Sequence, residues 1–212
     1  MAATQLGLYN EALRLVGERR LASLAEAREP RRVLDDIWND GAVDACLEQG
    51  MWNFAMRAVK VTAAVAVPAF GYSYTFDKPT DWIRTAGLSA SETIDPPLTD
   101  YMEEAGLIFA NVTPLYLRYV SNSTDYGKNY NFWPQSFTKF VAAFLASEAI
   151  LSLTQDDARQ ERAFKLMLMR RSEARSRDAM NEAVAFPPQG RWAGARRGSA
   201  RHDRGNRGQL IG

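Results

Sequence analysis

The sequence predicts a mainly α protein: a helical bundle with a small, mostly antiparallel β region inserted between its parts. Apolar residues recur at helical spacing over the first fifty positions and again after Pro134. Between Trp52 and Ser121 the pattern changes to β-branched runs and strict alternation. Beyond Pro187 and Pro188 the chain turns Gly- and Arg-rich and offers no continuous apolar face. These changes divide the sequence into an N-terminal helical part (1–56), a β-rich insertion (57–121), a C-terminal helical part (122–187) and a basic tail (188–212) expected to be flexible.

The first helix is expected from Gln5 to Val16, where Leu6, Tyr9, Leu13 and Val16 share a face. Thr4 suits its cap and Gly17 its left-handed end. Pro30 fits the first turn of a second helix, with Glu29 at the positive end of its dipole. Val33, Leu34, Ile37, Trp38, Val43 and Leu47 extend one apolar face toward Gly50, and Gly41 is a weak spot in the run. Ala58 to Val67 reads as a strand, and Pro68 to Gly71 as a turn. Tyr72, Tyr74 and Phe76 then alternate with Ser73, Thr75 and Asp77. Trp82 to Ala86, Gly106 to Ala110 and the segment after Pro114 complete the strands, while Ser89 to Thr99 is expected to be a loop. After Pro134, Phe137, Phe140, Val141, Phe144, Leu145 and Ile150 mark a core helix. Thr154 and Asp157 suggest a cap for a last helix over Asp156 to Asn181, with Phe164, Met167, Leu168 and Ala174 directed at the core.

Composition narrows the function classes. Hydrophobic residues form 46% and charged residues 24%, a balance that lets the chain bury a core. The net charge of +1 is unevenly spread: residues 170–212 hold ten arginines against four acidic groups, so the preceding body is acidic. No apolar run is read as a membrane span or anchor, and Met1 to Asn10 lacks the basic start and apolar stretch of a secretory leader. Cys46, the only cysteine, permits no intrachain disulfide and suits a reducing compartment.

The residues do not suggest catalysis. His202 is the only histidine, lies in the Arg-rich end and lacks the companions a zinc site needs. Cys46 reads as a packing residue, and the adjacent pairs Asp35/Asp36 and Glu103/Glu104 read as solvated carboxylates. Neither phosphate-cradling loop motif is present. The chain is therefore expected to be no enzyme and to need neither cofactor nor metal. Its basic end could meet phosphates through Arg191, Arg196, Arg197, Arg201, Arg204 and Arg207, with Trp192 stacking on a base. The same groups could dock on an acidic protein face or serve only for solubility.

Several ordered segments resemble tail tubular protein A, the tail adaptor family of short-tailed bacteriophages. They are Tyr9–Leu13 with Gly17–Leu21, Arg32–Trp38, Cys46–Arg57, Phe70–Tyr72, Phe76–Pro79 with Asp81–Trp82, Leu117–Val120 and Trp133–Phe137. Ala174–Met180, Phe186–Pro188 and Arg191–Trp192 carry the likeness onward, so that it covers about residues 4–197. The resemblance implies a helical bundle with an inserted β region, assembled as a dodecameric ring between the portal protein and the tail nozzle protein, with an axial route for DNA during ejection. It also implies a place in the virion tail after assembly, and in the bacterial host cytoplasm before lysis. Candidate partner-binding residues are Tyr72, Tyr74, Phe76, Asp77, Lys78 and Trp82, together with Trp133, Arg191, Trp192, Arg196 and Arg197. The stretch from Phe70 to Trp82 could equally be a hairpin packed within its own subunit, and Trp133 could cap the core. Arg201, Arg204 and Arg207 inherit no role from the resemblance. The alternative function is nucleic-acid binding through the Arg-rich C-terminal tail.

Overall fold

The computed structural model describes residues 3–65, 68 and 71–181. Within them the fold is predominantly helical, with a smaller antiparallel β region inserted between α3 and α4. Helix α1 spans Gln5–Val16. The Thr4 hydroxyl accepts the Gly7 N–H at 3.1 Å, satisfying one of the amides a helix start leaves unpaired. Gly17, at φ +91°, ends the helix by donating its N–H to Leu13 O. Helix α2 (Glu29–Asn39) carries Pro30 in its first turn. The continuous run expected through Gly41 is instead broken there. Gly41 sits at φ +93°, a left-handed conformation that cannot propagate a right-handed helix, and α3 (Ala42–Glu48) starts anew.

Six strands follow among the described residues: β1 Met56–Val61, β2 Tyr74–Asp77, β3 Trp82–Ser89, β4 Tyr101–Glu104, β5 Leu107–Ala110 and β6 Leu115–Ser121. The first begins two residues earlier than the sequence suggests and stops at Val61. Strand β4 is absent from the sequence reading, which takes Glu103 and Glu104 only as solvated carboxylates. It pairs with β5 through Ala105 and Gly106, both at positive φ, as a tight two-residue hairpin requires. The strands form two antiparallel sheets, ordered β1-β6-β3 and β2-β5-β4. Flanking loop residues bond to each sheet: Ala64 N–H, beyond β1, donates to Thr75 O of β2 at 2.7 Å, and Leu98 N–H, before β4, donates to Leu88 O of β3 at 2.7 Å. Phe76, Leu88, Ile108, Leu115, Leu117 and Tyr119 fill the interior between the sheets.

The second core is helical. Helix α4 (Gln135–Thr154) is its axis, with α1, α2, α3 and α5 packed against it. Because neighbours surround it, α4 is apolar on nearly every side and shows little amphipathic periodicity. At 20 residues it is long and apolar enough to cross a membrane by length and composition alone, contrary to the sequence reading. Its burial against four helices is that of a core helix. Trp52, Phe54, Trp133 and Phe140 surround Phe137, with the Trp133 and Phe137 ring centroids 4.8 Å apart and edge to face.

The last helix, α5, spans Asp157–Ala179. Asp156, not Thr154, caps it by accepting the Arg159 N–H at 3.1 Å. Thr154 belongs to α4, where its hydroxyl donates to Ile150 O at 2.8 Å, and Gln155 turns the chain at φ +51°. Met167 and Ala174 are buried as expected, and Leu168 packs partly on the core. Phe164 is corrected: its residue is 50% exposed. The core seam runs through Ala163, Met167, Ala174 and Asp178, and the adjacent position 164 lies about 100° round the helix from 163.

Candidate partner-binding site

The residues expected to meet partners do not form one surface. Phe76 is fully buried between the sheets, while Tyr74 on the same strand is 36% exposed. Tyr72 precedes β2 and donates a long hydrogen bond, 3.4 Å, to Asp100. The expected one-in, one-out alternation is therefore interrupted, with Thr75 also buried where Ala64 bonds to its carbonyl. Asp77 is exposed at the end of β2.

Lys78 is engaged within the subunit. Its ammonium lies 2.6 Å from Glu103 Oε2 and 3.6 Å from the centroid of the Trp82 ring. One cation thus ties the loop after β2 to β4 and β3, and its side chain is only 11% exposed. Trp82 donates its indole N–H to Thr85 Oγ1 at 3.0 Å. Tyr74 and Asp77 are the members of the Tyr74–Trp82 group that face outward.

Trp133 is likewise internal. Its indole N–H donates to Gly127 O at 2.7 Å, and Pro134 takes the N-cap position of α4. Arg191, Trp192, Arg196 and Arg197 lie outside the described residues, as do Phe70 and His202.

Sequence reasoning gave Asp81 no role of its own, yet it organises the junction of β1, β3 and β6. Its carboxylate pairs with Arg57 at 2.9 Å and accepts the Tyr119 hydroxyl at 2.9 Å and the Ser121 hydroxyl. Its backbone carbonyl accepts from Asn122 N–H. Burial alone would raise the Asp81 pKa, but the bonds from Ser121, Arg57 and Tyr119 together hold it below the usual carboxylate value. Burial, followed by the bond to Asp81, pushes the Tyr119 hydroxyl upward. A carboxylate so fully occupied positions strands and is poorly suited to accept a substrate proton. No local motif could reveal it, because its side-chain partners lie 24 to 40 residues away.

The remaining titratable candidates are also structural. Cys46 is buried, and burial pushes its thiol pKa upward, away from nucleophilic behaviour. Asp35 accepts the Tyr9 hydroxyl at 3.0 Å and pairs with Arg31, so it is more than the solvated carboxylate expected. Among the described residues, no group of three His, Cys, Asp or Glu side chains could hold a metal ion.

The α4–α5 hairpin presents two different flanks. On one, a cleft of about 430 Å³ is floored by Ala143, Ala146 and Ala163 and bordered by Gly17, with Arg159 and Arg162 among its lining residues. On the other, Leu151 and Phe164 are 44% and 50% exposed beside Glu148, Asp157 and Glu161. The sequence signal for this second flank was present but misread: Phe164 was assigned to the core one position away from its true seam. Compared with known proteins, the chain matches no protein-family model and no curated protein.

Proposed function

We propose that this chain is a non-enzymatic tail adaptor, a ring subunit joining a portal to a distal tail nozzle and leaving a route for DNA. The ordered resemblance to tail tubular protein A over about residues 4–197 carries this reading. The helical bundle with an inserted antiparallel region agrees with the architecture that resemblance implies. The two unlike flanks of the α4–α5 hairpin also suit a subunit that meets different neighbours on different sides.

Electron microscopy of the full chain mixed with its cognate portal tests the reading. The expected result is a ring of this protein seated coaxially on the portal, formed without ATP hydrolysis or DNA cleavage. Failure to bind a correctly folded cognate portal refutes the assignment. A nucleotide-dependent activity abolished by a point change in this chain would refute its non-enzymatic part. The nucleic-acid-binding alternative draws on the ten arginines of residues 170–212. It requires DNA affinity that falls with salt, weakens when the chain is cut after Arg197, and is lost when the cut also removes Arg191, Trp192, Arg196 and Arg197.

A further inference from the structure

We propose that the two flanks of the α4–α5 hairpin are complementary halves of one head-to-tail contact between copies of this chain. The exposed Phe164 and Leu151 of one copy enter the cleft between α1, α4 and α5 of the next. The inference deepens the adaptor reading, because ring closure rests on that reading, but the contact itself can fail separately.

Shape is the first argument. The cleft has small residues on its floor, Ala143, Ala146 and Ala163, and a volume of about 430 Å³, room for large apolar side chains. The opposite flank offers such side chains: Leu151 and Phe164, on neighbouring helices, line an open groove of about 540 Å³ and remain 44% and 50% exposed. They stand on an ordered helix pair, so little conformational freedom is lost on docking.

Charge is the second argument, and it selects the occupant. Arg159 and Arg162 line the cleft, while Glu148, Asp157 and Glu161 line the groove together with Leu151 and Phe164. Arg159 has an ion pair with Asp156, and Glu161 has one with Lys165, both well exposed. Arg162 and Glu148 have no ion pair among the described residues. Basic lining on one flank and acidic lining on the other favour opposed flanks, whereas matching flanks would repel.

The positions also determine the polarity of assembly. Arg162 and Phe164 are two residues apart on α5, which turns them about 200° from one another. A copy using its cleft therefore leaves its Phe164 flank free for a third copy. Such a contact is heterologous: it propagates around a closed ring or along a filament and is not consumed by a symmetric pair.

The test uses full-length protein and two single variants, Arg162→Glu and Glu148→Arg, followed by sedimentation velocity. Both positions are exposed, so each variant should retain the wild-type melting transition. The wild type should self-associate, and each variant alone should associate at least about tenfold more weakly. An equimolar mixture should recover assemblies of wild-type size, because every contact between unlike variants again pairs a basic side with an acidic one. The double variant Arg162→Glu/Glu148→Arg should recover them as well. Phe164→Ser should weaken association in every combination.

A wild type that remains monomeric up to its solubility limit overturns the proposal and leaves the cleft to some other occupant. Single variants that associate like the wild type, or folded variants whose mixture stays dissociated, also overturn it. Recovery in the mixture without portal binding would sustain this contact while removing the adaptor assignment. Portal-bound rings that ignore the charge exchange would do the reverse.

Discussion

Replacing Gly127 by alanine should be among the most damaging single-methyl additions to this protein. Gly127 is buried where the chain leaves β6 for the C-terminal helices, and its N–H donates to Ser121 O at 3.1 Å. A Cβ added there would stand 2.1 Å from Ser121 O and 2.9 Å from Leu47 Cδ1. The leucine methyl can yield, but the carbonyl belongs to a strand end fixed by pairing to β3. Relief therefore requires moving the Gly127 backbone, whose own carbonyl accepts the Trp133 indole N–H at 2.7 Å. Overpacking a tight site costs about 1–3 kcal/mol. Weakening one or two hydrogen bonds adds roughly 1 kcal/mol each. The expected loss is about 2–5 kcal/mol, which for a chain of this size lowers Tm by roughly 4–20 °C.

Gly106→Ala supplies the control. Gly106 has φ +81° in the β4–β5 hairpin, with no atom within 4 Å of an added Cβ, so only backbone strain of about 1–2 kcal/mol opposes substitution. Urea denaturation followed by tryptophan fluorescence and far-ultraviolet circular dichroism would compare both variants with the wild type. The reasoning fails if Gly127→Ala is no more destabilising than Gly106→Ala. It also fails if Gly127→Ala leaves the stability within about 1 kcal/mol of wild type.

Two further substitutions probe the polar junctions. Since the folded-state pKa of Asp81 is depressed, its stabilisation is present above the unfolded value near 4 and lost as pH falls through the folded value. Asp81→Asn should therefore cost about 1–2 kcal/mol at pH 7, discounted because Arg57 is partly exposed, and should flatten the loss of stability below about pH 4; an unchanged pH slope contradicts this account. Trp133→Phe should cost about 1–3 kcal/mol by stranding the buried Gly127 carbonyl, whereas stability within about 0.5 kcal/mol of wild type would show that this bond contributes little.

What the sequence made legible depended on how local the cause was. The boundaries of α1 follow from Thr4, the spacing of Leu6 through Val16, and Gly17, all within one helix, and the structure reproduces them. The break at Gly41 was visible only as a weak point, because a glycine permits a left-handed turn without requiring one. The α5 cap was displaced because Thr154 and Asp156 are both good cap residues, and the choice depends on Gln155 reversing the chain between them. Strand β4 was missed because Tyr101 to Glu104 is only four residues long and half glutamate, and its pairing to β5 supplies the order that its own residues lack. The Lys78–Glu103–Trp82 and Asp81–Arg57–Tyr119 groups join residues far apart in sequence, which no spacing rule could assemble.

The candidate interface was obscured for a different reason, rooted in α5 itself. Ala163, Phe164, Leu166, Met167, Leu168 and Met169 place apolar groups all round the helix within two turns, so periodicity alone cannot select a buried side. Size invites assigning Phe164 inward, yet close approach to α4 favours the small Ala163 at the seam. The larger ring is consequently left outside at 50% exposure, and Met169 at 56%. Exposed large apolar residues on an ordered helix are tolerated singly, but Phe164 with Leu151 forms part of a patch with a chemically defined border. The cleft arises from the same packing choice, because the alanines that let α4 and α5 meet also leave its floor shallow. Close helix packing thus creates both the exposed apolar flank and the recess proposed to receive it, and mutations that enlarge Ala163 should disturb both together.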